Sequence, residues 1–197
     1  MSNPAAERAW LDLLEGNRRF LAGTPTGVTS SLAEVPKVAE TVSPIAVVVT
    51  CADSRVAPEV LFDQPVGRIF VARVPGNVAA ESVRWALDIA MTALEIPLVV
   101  VLGHTRCLAV REVVEGKVSG LGGVLRLQVA QSVSKARLTS GEADLLNESI
   151  RENVRATSRI LQTESGIVRS AVESGKAETR LAVYRVEDGS LELLDSP

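Results

Sequence analysis

Three side chains in this sequence are soft enough to grip a transition metal: Cys51, His104 and Cys107. The chain has two cysteines and one histidine in 197 residues, so any step that needs an imidazole must use His104. His104 and Cys107 stand three apart in His104-Thr105-Arg106-Cys107, a spacing that lets both reach one ion from a turn entering a helix. Cys51 offers a third ligand from Cys51-Ala52-Asp53-Ser54-Arg55. Two thiolates and one imidazole suit zinc. A closed structural zinc site normally uses four cysteine or histidine ligands, so three leave a fourth position for Asp53, water or substrate. That open position favours catalysis. Taken singly these residues say less: a cysteine after a strand is commonly a small buried hydrophobe, and Asp53 with Arg55 could be a surface ion pair of little weight. Their joint placement argues for chemistry.

The elements around them set that placement. Residues 45–50 (IAVVVT) form a short β-branched apolar run, the pattern of a strand buried on both faces. Residues 68–73 (RIFVAR) and 98–102 (LVVVL) read as further strands. Residues 181–186 and 191–194 flank Asp188-Gly189, a hairpin turn signal. Helical patterns occupy 80–94, 107–115, 125–138 and 143–161. Such alternation predicts a single α/β domain over residues 1–197: about four parallel strands plus an antiparallel edge strand, flanked by helices. A helix over 4–21, with Trp10, Leu13, Leu14 and Phe20 mostly on one side, forms an N-terminal arm within 1–31. The turn-rich residues 23–31 join it to the body. Ligands of open sheets bind at the carboxyl ends of strands. Cys51 and His104 each follow a strand there, and the three soft ligands converge if those strands are neighbours.

Composition excludes several classes. The net charge is −3 and aromatics are 3%, against the basic excess and stacking platforms of nucleic-acid binders. The seventeen arginines are scattered among acidic neighbours. The apolar runs are too short to span a membrane, and the amino-terminal residues lack a signal-peptide pattern. Two cysteines make no disulfide framework, which points to a reducing, cytoplasmic setting. A cysteine-dependent phosphatase would need its arginine six residues after the nucleophile, whereas Arg55 is four after Cys51. Residues 119–123 (SGLGG) lack the third glycine of a dinucleotide loop and fit a helix start better.

The paired stretches Cys51-Ala52-Asp53-Ser54-Arg55 and His104-Thr105-Arg106-Cys107 resemble the β-class carbonic anhydrase family. Supporting stretches are Gly16-Asn17-Arg18-Arg19-Phe20, Pro58-Glu59 with Phe62-Asp63, and Val71-Ala72-Arg73 with Gly76-Asn77. The resemblance implies one Zn2+ per chain on Cys51, His104 and Cys107, and a catalytic dyad of Asp53 and Arg55. It also implies a homodimer or homotetramer in which the N-terminal helix embraces a partner. The expected reaction is reversible hydration of carbon dioxide to bicarbonate by zinc-bound hydroxide. Asp53 would accept the hydroxide's hydrogen bond while Arg55 holds it; released from Arg55, Asp53 could itself take the fourth zinc position.

Where the family commonly carries a glutamine and a tyrosine this chain has Val42 and Ile89, and where two glycines commonly follow the second cysteine it has Leu108 and Ala109. With Val42, Ile89 and Leu108 as substrate-pocket residues, the expectation is a bulkier, drier pocket. Such a pocket would also suit carbonyl sulfide or carbon disulfide. Val48 and Thr50 stand where the bicarbonate-regulated subtype has Trp and Gly, so that switch is not expected. Two further readings stay open: a non-catalytic zinc protein, and a redox protein cycling a Cys51–Cys107 disulfide.

Overall fold

A computed structural model describes residues 3–27, 35–117, 123–140 and 142–195. At its centre lie β1 (Ala46–Cys51), β2 (Ile69–Val74), β3 (Leu98–His104), β4 (Glu178–Tyr184) and β5 (Leu191–Leu194). They form one sheet in the order β2-β1-β3-β4-β5. The first four run parallel, and β5 returns antiparallel along β4. The expected architecture is therefore present. Every residue of β1 and β3 is buried, because central parallel strands are covered on both faces. Each fully buried valine there contributes roughly 1.5–3 kcal/mol. Register pairs Thr50 with Leu102, and the Thr50 hydroxyl donates to the Leu102 carbonyl at 2.9 Å. Cys51 and His104 thus leave adjacent strands at the same edge of the sheet.

Strand alternation divides the core in two. Val47, Val49, Val99 and Val101 point to the face covered by α3 (Glu81–Thr92), α4 (Leu108–Val114), α5 (Gly123–Ser140), α6 (Leu145–Glu164) and α7 (Gly166–Glu173). Val48, Val100 and Leu102 point to the face covered by α1 (Pro4–Leu21) and α2 (Pro58–Leu61). α1 occupies the expected residues because Asn3 caps it, accepting from the Ala5 and Ala6 amides at 2.9 and 3.2 Å, with Pro4 in the first turn.

α1 lies on its own chain's sheet, burying Ala6, Ala9, Trp10 and Leu13 there. The physical reason is its apolar stripe, which would otherwise be wet. Of the joining segment 23–31, residues 28–31 lie outside the described residues. So do residues 119–122 of the glycine-rich stretch, and α5 begins at Gly123. The helix expected to end at 161 runs on to Glu164. Ser165 then opens α7, its hydroxyl accepting from the Val168 amide at 3.0 Å. None of the described helices is long and apolar enough to cross a membrane.

Candidate metal and active site

Cys51 ends β1, His104 ends β3, and Cys107 is the residue from which α4 starts. Arg106 takes a left-handed φ of 55°, which folds the chain back between the histidine and the second cysteine. Gly103 has a different task. A Cβ there would lie 2.5 Å from Val154 Cγ2, so glycine lets α6 press onto the end of β3 and seal His104, which is fully buried.

The three soft ligands meet. One ligand atom from each of Cys51, His104 and Cys107 lies within 4.8 Å of the others, and all three residues are buried. The two sulfurs are 3.9 Å apart, far beyond the ~2.05 Å of a disulfide. Two sulfurs each 2.3 Å from one tetrahedral zinc would be about 3.8 Å apart. His104 Nδ1 sits 2.9 Å from the Thr105 carbonyl, so it carries the proton and donates there, leaving a lone pair on Nε2. Nε2 is buried with no hydrogen-bond partner. An orphaned nitrogen facing two sulfurs is costly unless a cation completes it. The donor set therefore fits zinc.

The sulfurs' protonation supports this. A hydrogen bond from Cys107 holds the Cys51 thiol well below the usual thiol range, against burial, helped by the Gly76 amide. The same bond, together with burial, pushes Cys107 up. A divalent cation held here would favour the thiolate form of both sulfurs.

Asp53 and Arg55 stand at the mouth. Asp53 accepts from the Arg55 amide at 3.0 Å and from its guanidinium at 2.9 and 2.7 Å. The Arg55 side chain is the main reason that the Asp53 carboxyl lies far below the usual carboxylate range, burial opposing it. Asp53 Oδ2 is 3.9 Å from His104 Nε2, so the carboxylate lies beside the ligand cluster while Arg55 holds it. Arg73 fixes the loop from below, donating to the Cys51 carbonyl at 3.1 Å and the Asp53 carbonyl at 2.7 Å. Gly76 N–H donates to Cys51 Sγ at 3.3 Å.

A cavity of about 500 Å³ opens here, lined by Asp53, Ser54, Arg55, Arg106, Leu108 and Arg111. Leu108 is a lining residue but is 52% exposed, because the first turn of α4 splays it outward. Val42 is exposed beside Gly67, and Ile89 lies on the outer side of α3; neither lines this cavity. Within this chain the walls are mainly guanidinium and carboxylate.

Sequence reasoning missed Glu187. Its carboxylate accepts from the Thr105 hydroxyl at 2.6 Å and Arg106 Nε at 2.7 Å, tying the β4–β5 hairpin to the His104–Cys107 turn. Arg55 in turn donates to the Arg106 carbonyl at 3.3 Å. No local motif marks Glu187; its role arises only when β4 pairs with β3.

An open α/β sheet with a buried Cys–His–Cys cluster at its strand ends places a group able to hold a metal ion where doubly wound sheets bind their ligands. A family model described as carbonic anhydrase matches residues 46–191, which include every ligand of the cluster. The chain belongs to the β-carbonic anhydrase family. It is 35% identical over 198 residues to carbonic anhydrase 2 of Mycobacterium tuberculosis, covering 98% of this chain and 94% of that protein. Among solved structures it is similar to the β-carbonic anhydrase CcaA, with a TM-score of 0.72 at 25% identity over 94% of this chain and 95% of that one. It also shares its fold with a tetrameric β-carbonic anhydrase of Sordaria macrospora, with a TM-score of 0.70 at 20% identity over 81% of this chain and 84% of that one.

Proposed function

We propose that this chain is a zinc-dependent carbonic anhydrase that hydrates carbon dioxide reversibly to bicarbonate, with one Zn2+ per chain on Cys51, His104 and Cys107. The observation that carries the reading is the orphaned, buried His104 Nε2 facing two sulfurs 3.9 Å apart. Zinc bound by these residues supplies a hydroxide nucleophile from water near neutral pH. The chain's own groups do the rest. Asp53 stays ionised because Arg55 grips it, so it accepts a hydrogen bond from the nucleophile's O–H and turns the lone pair toward carbon. Arg73 holds the backbone of Cys51 and Asp53 so that ligand and acceptor keep one geometry. With Arg55 engaged, the Asp53 carboxylate is held as a hydrogen-bond acceptor and would not itself serve as a metal ligand.

The name carried by the relatives supports carbon dioxide over carbonyl sulfide or carbon disulfide. A homodimer or homotetramer fits the tetrameric relative. Two free thiols fit a reducing, cytoplasmic setting. Neither nucleic acid nor membrane is a proposed partner.

Stopped-flow hydration of carbon dioxide by the zinc-loaded protein, with carbonyl sulfide turnover measured in parallel, tests the reading. Hydration at one zinc per chain is expected. Zinc binding with neither activity would overturn catalysis, and absence of stoichiometric zinc would overturn the site.

A further inference from the structure

α6 carries a buried polar row that the reading above does not use. Ser149, Asn153 and Thr157 recur at four-residue spacing and are each fully buried. Two of them reach across to the short 3-10 turn Pro75–Asn77 that follows β2. Asn153 Nδ2 donates to the Gly76 carbonyl at 2.7 Å, and Thr157 Oγ1 donates to the Asn77 carbonyl at 3.0 Å. α5 completes the frame. Gln128 donates to Thr157 Oγ1 at 2.8 Å and accepts from the Ala79 amide at 3.0 Å. The Ser132 hydroxyl donates to Asn153 Oδ1 at 3.4 Å.

Gly76 connects this frame to the metal site. Its carbonyl is held by Asn153, while its N–H donates to Cys51 Sγ at 3.3 Å. Gly76 sits at φ 72°, ψ 18° inside the turn, a left-handed conformation that glycine adopts without strain and does not by itself prefer. Its amide direction is therefore set from outside. A buried polar network of this kind is costly when half made; here it holds the peptide that follows Gly76, and through the φ and ψ of Gly76 this orients the preceding peptide, whose N–H faces Cys51.

We infer that Asn153, seventy-seven residues along the chain from Gly76, is a positioning residue that aims the Gly76 amide at the Cys51 sulfur, and that α5 and α6 thereby tune the metal thiolate. An N–H···S bond draws electron density from a metal-bound sulfur, and partners one step beyond the ligands set both affinity and electronics. The inference rests on the zinc reading.

The test compares Asn153→Ala, the milder Thr157→Val, and Ser158→Ala, a buried α6 hydroxyl that instead accepts from Gln162. Three quantities are read: the Gly76 amide proton shift by NMR in chelated protein, the sulfur-to-metal charge-transfer band of the Co(II) form, and Zn2+ affinity by chelator competition. In Asn153→Ala the Gly76 amide proton is expected to move upfield as its hydrogen bond to sulfur lengthens. The Co(II) band is expected to move to longer wavelength, and Zn2+ affinity to fall about tenfold. Thr157→Val shifts all three less in the same direction, and Ser158→Ala leaves them at wild-type values. A merely structural role would lower stability in all three variants and leave the amide shift and band unmoved, overturning the inference. If Asn153→Ala does not fold, Thr157→Val decides on the same readouts. Wild-type protein that takes up neither Co(II) nor Zn2+ overturns the zinc reading as well, so the two failures are distinguishable.

Discussion

Arg55 grips Asp53 through both oxygens, Nε at 2.9 Å and Nη2 at 2.7 Å, while Asp53 Oδ2 stands 3.9 Å from His104 Nε2. The carboxylate therefore stands between a guanidinium and the Cys–His–Cys cluster, which would compete for it with zinc bound. Arg55→Ala releases Asp53 toward the cluster. The expected outcome is a loss of carbon dioxide hydration of about 100-fold or more with zinc content unchanged, since Asp53 can then fill the open position. Asp53→Asn should lose activity to a similar extent, because an amide carrying two N–H donors no longer accepts in the same way. Hydration rate together with metal content checks both. An Arg55→Ala variant that keeps wild-type turnover would remove the pair from the mechanism.

Replacing any one of Cys51, His104 or Cys107 should abolish stoichiometric zinc, since the chain has no spare cysteine or histidine. The sheet should survive, because its valine core lies on the strands rather than on the metal. Cys107→Ser is therefore expected to bind less than one-tenth zinc per chain and keep its far-ultraviolet circular dichroism. Removing zinc from the wild type should lower the melting temperature. At free zinc 100-fold above Kd the lost stabilisation is about 2.7 kcal/mol. Metal analysis and thermal melts at controlled free zinc measure both effects.

Acid stability should depend on Asp63, far from the metal. Its side chain is buried and accepts from Arg19 Nε at 2.6 Å, and from the Thr26 and Gly27 amides at 3.0 and 2.7 Å. Burial pushes its carboxyl up, but these hydrogen bonds outweigh it and hold it at about 2, down from 3.8. A depressed folded value means that the ionised form stabilises the fold above the unfolded pKa, and that this stability is lost as pH falls toward 2. The shift sets the contribution on the order of 2 kcal/mol. Urea unfolding of wild type and Asp63→Asn should differ by a constant amount above pH 5, and the difference should shrink between pH 4 and 2. A difference independent of pH would exclude this linkage.

The legible parts of this molecule were those in which neighbours along the chain act together. Residues 45–50 and 98–102 announce buried strands because parallel central strands need apolar side chains at every position. Their termini then mark Cys51 and His104, and Asp53 with Arg55 stands beside the first. The Cys–His–Cys cluster was readable because cysteine and histidine are scarce, three residues in all, and local spacing brings two of them together. Parts made by distant chain segments were not legible. Glu187 reaches the His104–Cys107 turn only through the β3–β4 pairing, and Asn153 reaches Gly76 only because α6 packs on that loop. Val42 and Ile89 are exposed on this chain and do not line its cavity whereas Leu108 does, and the size of a side chain does not say which way its element turns it.

Gly103 offers a test of how tightly packing sets the histidine. A Cβ at this position would meet Val154 Cγ2 at 2.5 Å and Ile150 Cγ2 at 3.5 Å. The first distance is well inside contact, so α6 or the end of β3 must shift when alanine is introduced. Overpacking of this kind costs about 1–3 kcal/mol. His104 is the next residue, so the same shift disturbs a metal ligand, and Gly103→Ala should lower both unfolding free energy and zinc affinity. Val154→Ala removes the clashing methyl groups and by itself leaves a cavity. If the clash is the cause, the Gly103→Ala/Val154→Ala double variant should bind zinc more tightly than Gly103→Ala alone, and its loss of stability should be smaller than the sum of the single losses. Strictly additive losses in both stability and affinity would show that Gly103 acts through backbone freedom and not through room for α6.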